Sequence, residues 1–358
     1  MHAPHLGRFS FALAACAIAI TPAAFAEPQP APAIDASLLP YASTKDSARL
    51  PDGRTIHIVC MGKGSPVVVL TAGAGAWSSD WNKVQPAVAD KTRVCAWDRA
   101  GFGMSSPSPL PQTADNRTSD LQAALKAGGI SGPYVVVGHS LGGYESLLLK
   151  DREPSKVVGM VLVDPSFPGQ MAVWKRVAPN WISGTSPAIG YFQTCATALR
   201  SGAVKIDSGA DPQNCTHLPY PPDFPSELRT ALEQARIGAG AETLAKICDT
   251  MAYYSSSQLL AVDSEITLDP GRNYGSMPFI ILTAGVLEPA PNDPDAVRAE
   301  FPQIRAEWMR GHDALASLSK RGVNRVVPET THGIQQLKPQ AVIEAIGEVV
   351  DQARASHL

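Results

Sequence analysis

Short runs of β-branched residues, separated by stretches with helical periodicity, constrain this chain more than any other feature of its sequence. Such runs are typical of strands that are buried on both faces of a parallel sheet. Because they alternate with helical stretches, they predict an α/β fold with a doubly wound, mostly parallel sheet. The strand pattern begins with two extended segments on either side of a turn at 51–53, and the second of these segments covers residues 55–61. The buried runs follow at residues 67–70, 92–97, 134–137, 157–163, 279–282 and 324–327.

The alternation is interrupted once. It stops after Asp164, at the end of the sixth predicted strand, and resumes at residue 279. The residues between are rich in proline, glycine and aromatic side chains and contain no further strand pattern. We therefore divide the chain into an α/β core, residues 41–164 and 277–358, and an insertion of residues 165–276 after the sixth strand.

The first residues have the features of a targeting segment. An apolar run at 9–20 follows Arg8 and precedes the small-residue site Ala24-Phe25-Ala26, which is typical of a secretory signal peptide. Residues 1–26 therefore predict an exported protein, periplasmic or secreted. The apolar run is too short to cross a bilayer, and no membrane span is expected after the signal peptide is cleaved. A lipoprotein box ending at Cys16 is the alternative, although apolar sequence continues beyond that cysteine. Residues 27–40 are rich in proline and alanine and predict a flexible spacer.

Composition excludes several classes of partner. Hydrophobic residues make up 44% of the chain, charged residues 18%, and the formal net charge is -3. This balance, without any run of lysine or arginine, gives no indication of a nucleic-acid partner. The chain contains no Cys-x-x-Cys and no other zinc-like spacing, so neither a metal nor another cofactor is expected. Nothing in the sequence indicates an oligomer, and we expect a monomer.

A nucleophile is predicted at Ser140. Residues 138–142 read Gly-His-Ser-Leu-Gly, directly after a predicted strand and directly before a helix. A serine in this G-x-S-x-G context lies on a sharp turn that directs its hydroxyl out of the carboxyl edge of the sheet. An oxyanion hole would be formed by the N–H of Leu141 and an N–H of the glycine-rich loop 72–75, for which we choose Ala74.

The base and the acid must come from other strand ends. His332 follows the last predicted strand and precedes the terminal helix, which places it at the same sheet edge as Ser140. Two residues compete for the acid that orients the imidazole. Asp164 ends the sixth strand and is our first choice, whereas Glu288 follows the seventh strand in a loop that also contains Asp293 and Asp295.

Taken together, these motifs resemble the α/β-hydrolase superfamily, specifically the branch known as alpha/beta hydrolase fold-1. The resemblance covers about residues 49–350 apart from the insertion. It rests on the loop at 72–75, on Trp-Asp-Arg-Ala-Gly-Phe-Gly-x-Ser at 97–105, on the elbow at 138–143 and on His332-Gly333. It implies that Ser140 is the nucleophile, that His332 is the base and that the insertion is a lid over the pocket. The chain departs from the family where Ala-Gly replaces His-Gly at 72–73, and where Gly-x-x-Glu replaces Gly-x-x-Asp at 285–288, which keeps both acids open.

The predicted export and the implied fold also indicate which cysteines form disulfides. Cys195 and Cys215 lie in a loop-rich part of the insertion, where a disulfide would restrict the unfolded chain. The resemblance places the strands of Cys60 and Cys95 side by side, so a second disulfide is predicted there, with buried thiols as the alternative. Cys248 is left without a partner in this scheme.

The predicted activity is hydrolysis of a small-molecule ester or a related acyl bond through an acyl-serine intermediate. Alternatives are a C–C bond hydrolase or a cofactor-free perhydrolase on the same triad, and a non-catalytic binding protein that uses only the pocket. Epoxide hydrolases and haloalkane dehalogenases of this superfamily need an aspartate at position 140, so the serine argues against these two activities.

Overall fold

The computed structural model describes residues 33–183, 187–206, 211–212, 214–216, 223–238 and 240–356. The predicted signal peptide at 1–26, its Cys16 and the first part of the predicted spacer lie outside these residues. Within the described ranges, no helix combines the length and the apolar composition that a membrane span requires.

The β-branched runs form strands in two sheets. A two-stranded antiparallel sheet pairs Ala48 with Ile56, and a seven-stranded sheet forms the centre of the molecule. In the described part of the chain the strands are β1 (Ala48–Arg49), β2 (Thr55–Ile56), β3 (Ile58–Met61), β4 (Val67–Thr71), β5 (Val94–Trp97), β6 (Tyr134–His139), β7 (Val157–Val163), β8 (Phe279–Ala284) and β9 (Gly322–Val327).

The large sheet has the order β3-β5-β4-β6-β7-β8-β9. β3 runs antiparallel to β5, and every other neighbouring pair is parallel. The chain therefore crosses over between parallel strands, and its crossover connections are mostly helical. This architecture confirms the predicted fold class of a doubly wound, mostly parallel sheet.

Helices cover both faces of this sheet, and in the part of the chain that the structure describes a group of six helices, α4 to α9, lies between β7 and β8. In the described residues the α-helices are α1 (Gln85–Ala89), α2 (Ala114–Ala127), α3 (Gly142–Arg152), α4 (Gln170–Val177), α5 (Pro179–Ile182), α6 (Pro187–Ser201), α7 (Ser226–Ile237), α8 (Ala241–Tyr254), α9 (Ser257–Ile266), α10 (Asp295–Arg298), α11 (Phe301–Ala316), α12 (Ile334–Leu337) and α13 (Pro339–Ser356).

The alternation of side chains along each strand creates two cores. Val69 of β4 and Leu162 of β7 belong to the cluster that also contains residues of α2, α3 and α11. Their neighbours Val68 and Val163 belong to the opposite cluster, which contains residues of α1 and α13. Successive residues of a strand point to opposite faces, so a continuous apolar run is required when helices cover both. This explains why the central strands are almost wholly apolar.

The structure differs from the sequence-based expectations in one strand count and in one ordered segment. The extended segment predicted at 55–61 forms two strands, β2 and β3, separated at His57, so the helical group follows the seventh strand and not the sixth. The spacer predicted at 27–40 ends earlier than expected, because residues Ala36–Ala42 form a 3₁₀ helix. Asp35 caps this helix by accepting the Ser37 N–H at 3.0 Å. Its Leu38 and Tyr41 are buried in the second core, and the burial of these side chains explains why the segment is ordered.

Both cysteine pairs are joined in the structure. Cys60 of β3 lies opposite Cys95 of β5 in the antiparallel register, and the two form a disulfide. Cys195 of α6 is bonded to Cys215, twenty positions later in the chain. Cys248 of α8 is free and buried, and its burial raises the pKa of the thiol to about 11.

We expect the loop after β5 to be intolerant of any side chain at Gly103. This residue has φ +49°, and a Cβ built there would lie 1.9 Å from the Asp98 Oδ2 atom. That oxygen also accepts hydrogen bonds from the Met104 N–H and from buried His57. Gly103→Ala should therefore lower the free energy of unfolding by about 3 kcal/mol or more.

The matched control is Gly53→Ala. Gly53 also has a positive φ, +87°, but no atom lies within 4 Å of the position that a Cβ would occupy there, so only the backbone strain of about 1 kcal/mol applies. Urea unfolding monitored by circular dichroism measures both changes. Equal losses for the two variants would contradict a steric role of Asp98.

Candidate active site

Ser140 lies on a strained turn between β6 and α3. Its φ of 51° is in the left-handed region, which non-glycine residues seldom adopt. The turn is tight because Gly138 and Gly142 approach other backbone atoms closely. A Cβ at Gly138 would lie 2.3 Å from the Gly142 oxygen, and one at Gly142 would lie 2.5 Å from the Thr71 oxygen. The two glycines around the serine are therefore a steric requirement of this turn.

Two strand ends bring a histidine and an acid to this serine. The His332 Nε2 atom lies 2.8 Å from the Ser140 Oγ atom, and its Nδ1 atom lies 2.6 Å from the Asp164 Oδ2 atom. Asp164 directly follows β7, which pairs with β6 in parallel register. The structure thus brings together three residues that are separated by 168 and 192 positions in the chain.

The Asp164 carboxylate is buried and fully hydrogen-bonded. Its side chain is 2% exposed, and its Oδ1 atom accepts the Ala284 N–H at 3.0 Å and the Trp308 Nε1–H at 2.9 Å. Burial by itself would raise the pKa of this carboxyl. A hydrogen bond from the His332 side chain and the electrostatic effect of His332, with contributions from His312 and Trp308, outweigh burial and lower the pKa to about 2. Asp164 is therefore ionised at neutral pH.

This ionisation state decides which atoms carry protons. A carboxylate can only accept hydrogen bonds, so the Nδ1 atom of His332 must hold a proton and donate it to Asp164. In the neutral imidazole the Nε2 atom is then an acceptor, and it accepts the hydrogen bond of the Ser140 hydroxyl. A hydroxyl held against a free imidazole nitrogen can lose its proton to that nitrogen, which converts the serine into a nucleophile.

The other candidate acids, Glu288, Asp293 and Asp295, follow β8. Glu288 is exposed and lines the cavity that contains Ser140. Asp293 also lines the cavity, and its Oδ2 atom accepts the Ala290 N–H at 2.8 Å. Asp295 begins α10. Four candidate acids lie in the described part of the chain, and of these only Asp164 accepts the hydrogen bond that the His332 Nδ1–H donates.

The two residues predicted to form the oxyanion hole belong to the cavity that contains the serine. Ala74 and Leu141 line the cavity together with Ser140. In the described residues, neither of their N–H groups donates a hydrogen bond to the protein. The loop of Ala74 passes close to the serine, since a Cβ at the preceding Gly73 would lie 3.3 Å from the Ser140 Cβ atom. Two free donors beside a nucleophile are suited to bind an oxyanion.

The other histidines in the described part of the chain, His57, His139 and His312, have structural contacts. The His139 ring is buried behind the serine and lies between the His332 carbonyl at 3.0 Å and the Gln335 Nε2 atom at 3.0 Å. Burial and the nearby His332 lower the pKa of His139 to about 3, so it is neutral. His312 is bonded to the Pro165 carbonyl and to Thr283, and His57 is paired with Asp98.

The cavity around Ser140 has a volume of about 350 Å³ and a mainly apolar wall. One part of the wall comes from the strand ends and from α11, and another from the helical group between β7 and β8. The charged residues of the wall are acidic, namely Asp164, Glu288 and Asp293, and no lysine or arginine belongs to the described lining. Its large apolar side chains include Trp181, Tyr254, Leu260, Phe301 and Trp308.

Sequence reasoning missed two residues that support this site. Trp308, in the middle of α11, donates to Asp164, and no motif marks it in the sequence. Arg99 donates to the carbonyls of Ala72 and Gly73, and it lies in the 97–105 stretch that carried only the family resemblance. In the ranges that the structure describes, no group of three or more His, Cys, Asp or Glu side chains is arranged to hold a metal ion.

Comparison with known proteins agrees with this fold. The sequence model described as "Alpha/beta hydrolase family" matches residues 68–345. An AB hydrolase superfamily protein of Gibberella zeae is 22% identical over 300 residues, which are 81% of this chain and 87% of that protein. The uncharacterized protein YqjL of Bacillus subtilis is 33% identical over 106 residues, 30% of this chain and 42% of that protein. The chain spans less than half the length of YqjL and of two further curated relatives that it matches.

Solved structures extend the likeness at low sequence identity. A probable hydrolytic enzyme from Pseudomonas aeruginosa PAO1 superposes with a TM-score of 0.54 and 18% identity, over 83% of this chain and 90% of that one. At this identity the likeness concerns the fold alone.

The geometry predicts which acid matters for the reactivity of Ser140. Asp164→Asn removes the acceptor that holds the Nδ1 proton of His332, so the imidazole loses its orientation and the serine should react about 10³-fold more slowly. Glu288→Gln, the matched control, should change the rate by less than about threefold. The rate of covalent labelling by a fluorophosphonate measures both variants. A larger loss in Glu288→Gln than in Asp164→Asn would reverse the assignment of the acid.

Proposed function

Because this chain belongs to the alpha/beta hydrolase family, we propose that it hydrolyses small-molecule esters through a covalent acyl-serine intermediate. The observation that carries the proposal is the continuous set of hydrogen bonds from Ser140 through His332 to Asp164, at the wall of one cavity. Nucleophile, base and acid are then Ser140, His332 and Asp164. No cofactor takes part in this proposal.

In the proposed first step the Ser140 oxygen attacks the carbonyl carbon of the ester. The hydroxyl proton passes to the Nε2 atom of His332, and the ionised Asp164 stabilises the imidazolium that forms. The carbonyl oxygen becomes negative and accepts hydrogen bonds from the free N–H groups of Ala74 and Leu141. When the tetrahedral intermediate collapses, the C–O bond of the alcohol breaks, and His332 returns its proton to the leaving oxygen.

The second step releases the acid. Water attacks the acyl carbon while its proton passes to the Nε2 atom of His332, and the same two N–H groups hold the second oxyanion. Collapse of this intermediate breaks the bond to Ser140, which recovers its proton from His332. The free acid leaves, and the serine and imidazole return to their starting states.

The wall of the cavity favours an apolar acyl or alcohol group without negative charge. Aromatic and aliphatic side chains give most of the wall, and a volume of about 350 Å³ suits a small substrate. Its charged side chains are acidic, so a carboxylate on the substrate would be repelled. Trp181, Tyr254 and Leu260 come from the helical group between β7 and β8, which we propose to act as a lid over the cavity.

We further propose that the protein is exported. Structural disulfides persist mainly in oxidising compartments, and the described residues contain two of them, Cys60–Cys95 and Cys195–Cys215. The signal-peptide pattern of residues 1–26 agrees with this location.

Labelling of the serine tests the proposed reaction. Wild-type protein should react covalently with a fluorophosphonate and hydrolyse short p-nitrophenyl esters, whereas Ser140→Ala should lose both activities by several orders of magnitude, about 10⁴-fold or more, while it stays folded. Mass spectrometry locates the adduct, and thermal unfolding verifies the fold. A folded wild-type protein without any adduct would indicate a binding protein, and labelling that persists in Ser140→Ala would place the nucleophile elsewhere.

A second experiment tests the charge of the substrate. Two p-nitrophenyl esters of equal acyl length are compared, one with a terminal methyl group and one with a terminal carboxylate. We expect kcat/KM to be at least about tenfold higher for the neutral ester, and the gap to narrow at high salt. Glu288→Gln should raise kcat/KM for the anionic ester while the neutral ester changes little. Preference for the anionic ester would contradict this substrate class.

A further inference from the structure

The Arg99 guanidinium is bonded to the loop that borders the serine. Arg99 follows β5 and is only 2% exposed. Its Nη1 atom donates to the Gly73 carbonyl at 2.8 Å, and its Nη2 atom donates to the Ala72 carbonyl at 2.5 Å. Two hydrogen bonds from one planar fork to successive carbonyls hold this short loop in one conformation.

The Gly73 carbonyl belongs to the same peptide group as the Ala74 N–H. A peptide group is planar and almost always trans, so its oxygen and its hydrogen point in opposite directions. The bond from Arg99 to the oxygen therefore also sets the direction of the N–H. This N–H has no acceptor in the described part of the chain, and Ala74 lines the cavity beside Ser140. A cationic donor on the oxygen also polarises the peptide group and strengthens its N–H as a donor.

Buried charges hold Arg99 in turn. The Glu145 Oε1 atom of α3 accepts the Nε–H of Arg99 and the Nε–H of Arg117, each at 2.6 Å. Arg117 of α2 also donates to the Asp263 Oδ2 atom of α9 at 2.7 Å. The side chains of Glu145, Arg117 and Asp263 are 0% exposed. The network contains two basic and two acidic side chains, so Arg99 is held under the loop without an uncompensated buried charge.

We propose that Arg99 is a positioning residue for the oxyanion hole, because it directs and polarises the Ala74 N–H through the Gly73 carbonyl. The inference rests on the proposed function, in which that N–H binds the oxyanion. Arg99 does not touch the substrate, so its effect should appear where negative charge has developed on the carbonyl oxygen. Binding of the uncharged ester should depend on it only weakly.

The experiment uses Arg99→Lys and an alkyl trifluoromethyl ketone. The Ser140 oxygen adds to the carbonyl carbon of this ketone while the hydroxyl proton passes to the Nε2 atom of His332. The tetrahedral adduct has a negative oxygen, whose place in the proposed function is the oxyanion hole. One ammonium group cannot reproduce the two-carbonyl fork. We expect kcat for a neutral p-nitrophenyl ester to fall about 10-fold to 100-fold, KM to stay within about threefold, and Ki for the ketone to rise by the same factor as kcat falls.

Arg117→Lys is the matched control. It disturbs the same buried network and should lower thermal stability, yet Arg117 has no hydrogen bond to the loop carbonyls. Its Ki for the ketone should stay within about threefold of the wild-type value. Equal increases of Ki in both variants, or an unchanged Ki in Arg99→Lys, would overturn the positioning role.

A second variant covers a failure of Arg99→Lys to fold. Glu145→Gln keeps an acceptor for the Arg99 Nε–H but removes the charge that holds it, so Ki should rise and kcat should fall by matching, smaller factors. A Glu145→Gln protein with wild-type Ki would also overturn the proposal. Absence of any ketone adduct in the wild-type protein is a separate result, which would overturn the proposed function itself.

Discussion

The parallel pairing of the central strands is the constraint on which the site depends. Parallel strands have their carboxyl ends at one edge of the sheet, and backbone hydrogen bonds fix their register. The loop of Ala74 follows β4, Ser140 follows β6, and Asp164 follows β7. The connection after β9 carries His332 to the same edge. Residues that are far apart in the chain therefore meet within hydrogen-bond distance.

Buried charged side chains near this edge of the sheet are compensated in two ways. Asp164 is a single buried carboxylate, and donors from His332, Ala284 and Trp308 compensate it. The network of Arg99, Glu145, Arg117 and Asp263 instead balances charge against charge. A buried ionic network contributes little net stability compared with apolar packing. The role that we propose for Arg99 under the loop of Ala74 gives this buried network a purpose other than stability.

Several features could be predicted from sequence because the signal is local. The G-x-S-x-G turn after an apolar strand indicated Ser140, and the chain order indicated His332. The family and the fold class were predicted from such motifs and are confirmed. The ordered 3₁₀ helix at Ala36–Ala42 was missed, because its burial depends on partners such as Gln85 that are distant in the chain. A Pro/Ala-rich composition carries no information about such contacts.

By itself the sequence determined the alternation of strands and helices, the elbow that holds Ser140 and the position of a histidine after the last strand. Each of these depends on backbone sterics and side-chain periodicity within a few residues. Only the tertiary structure showed that Asp164, and not Glu288, accepts the hydrogen bond of the His332 Nδ1–H, because both acids follow strands and both carry a carboxylate. It also showed that Trp308 donates to Asp164 and that Arg99 donates to the loop of Ala74. Which carboxylate reaches an imidazole, and which guanidinium lies under a loop, depends on distances between segments that no local pattern encodes.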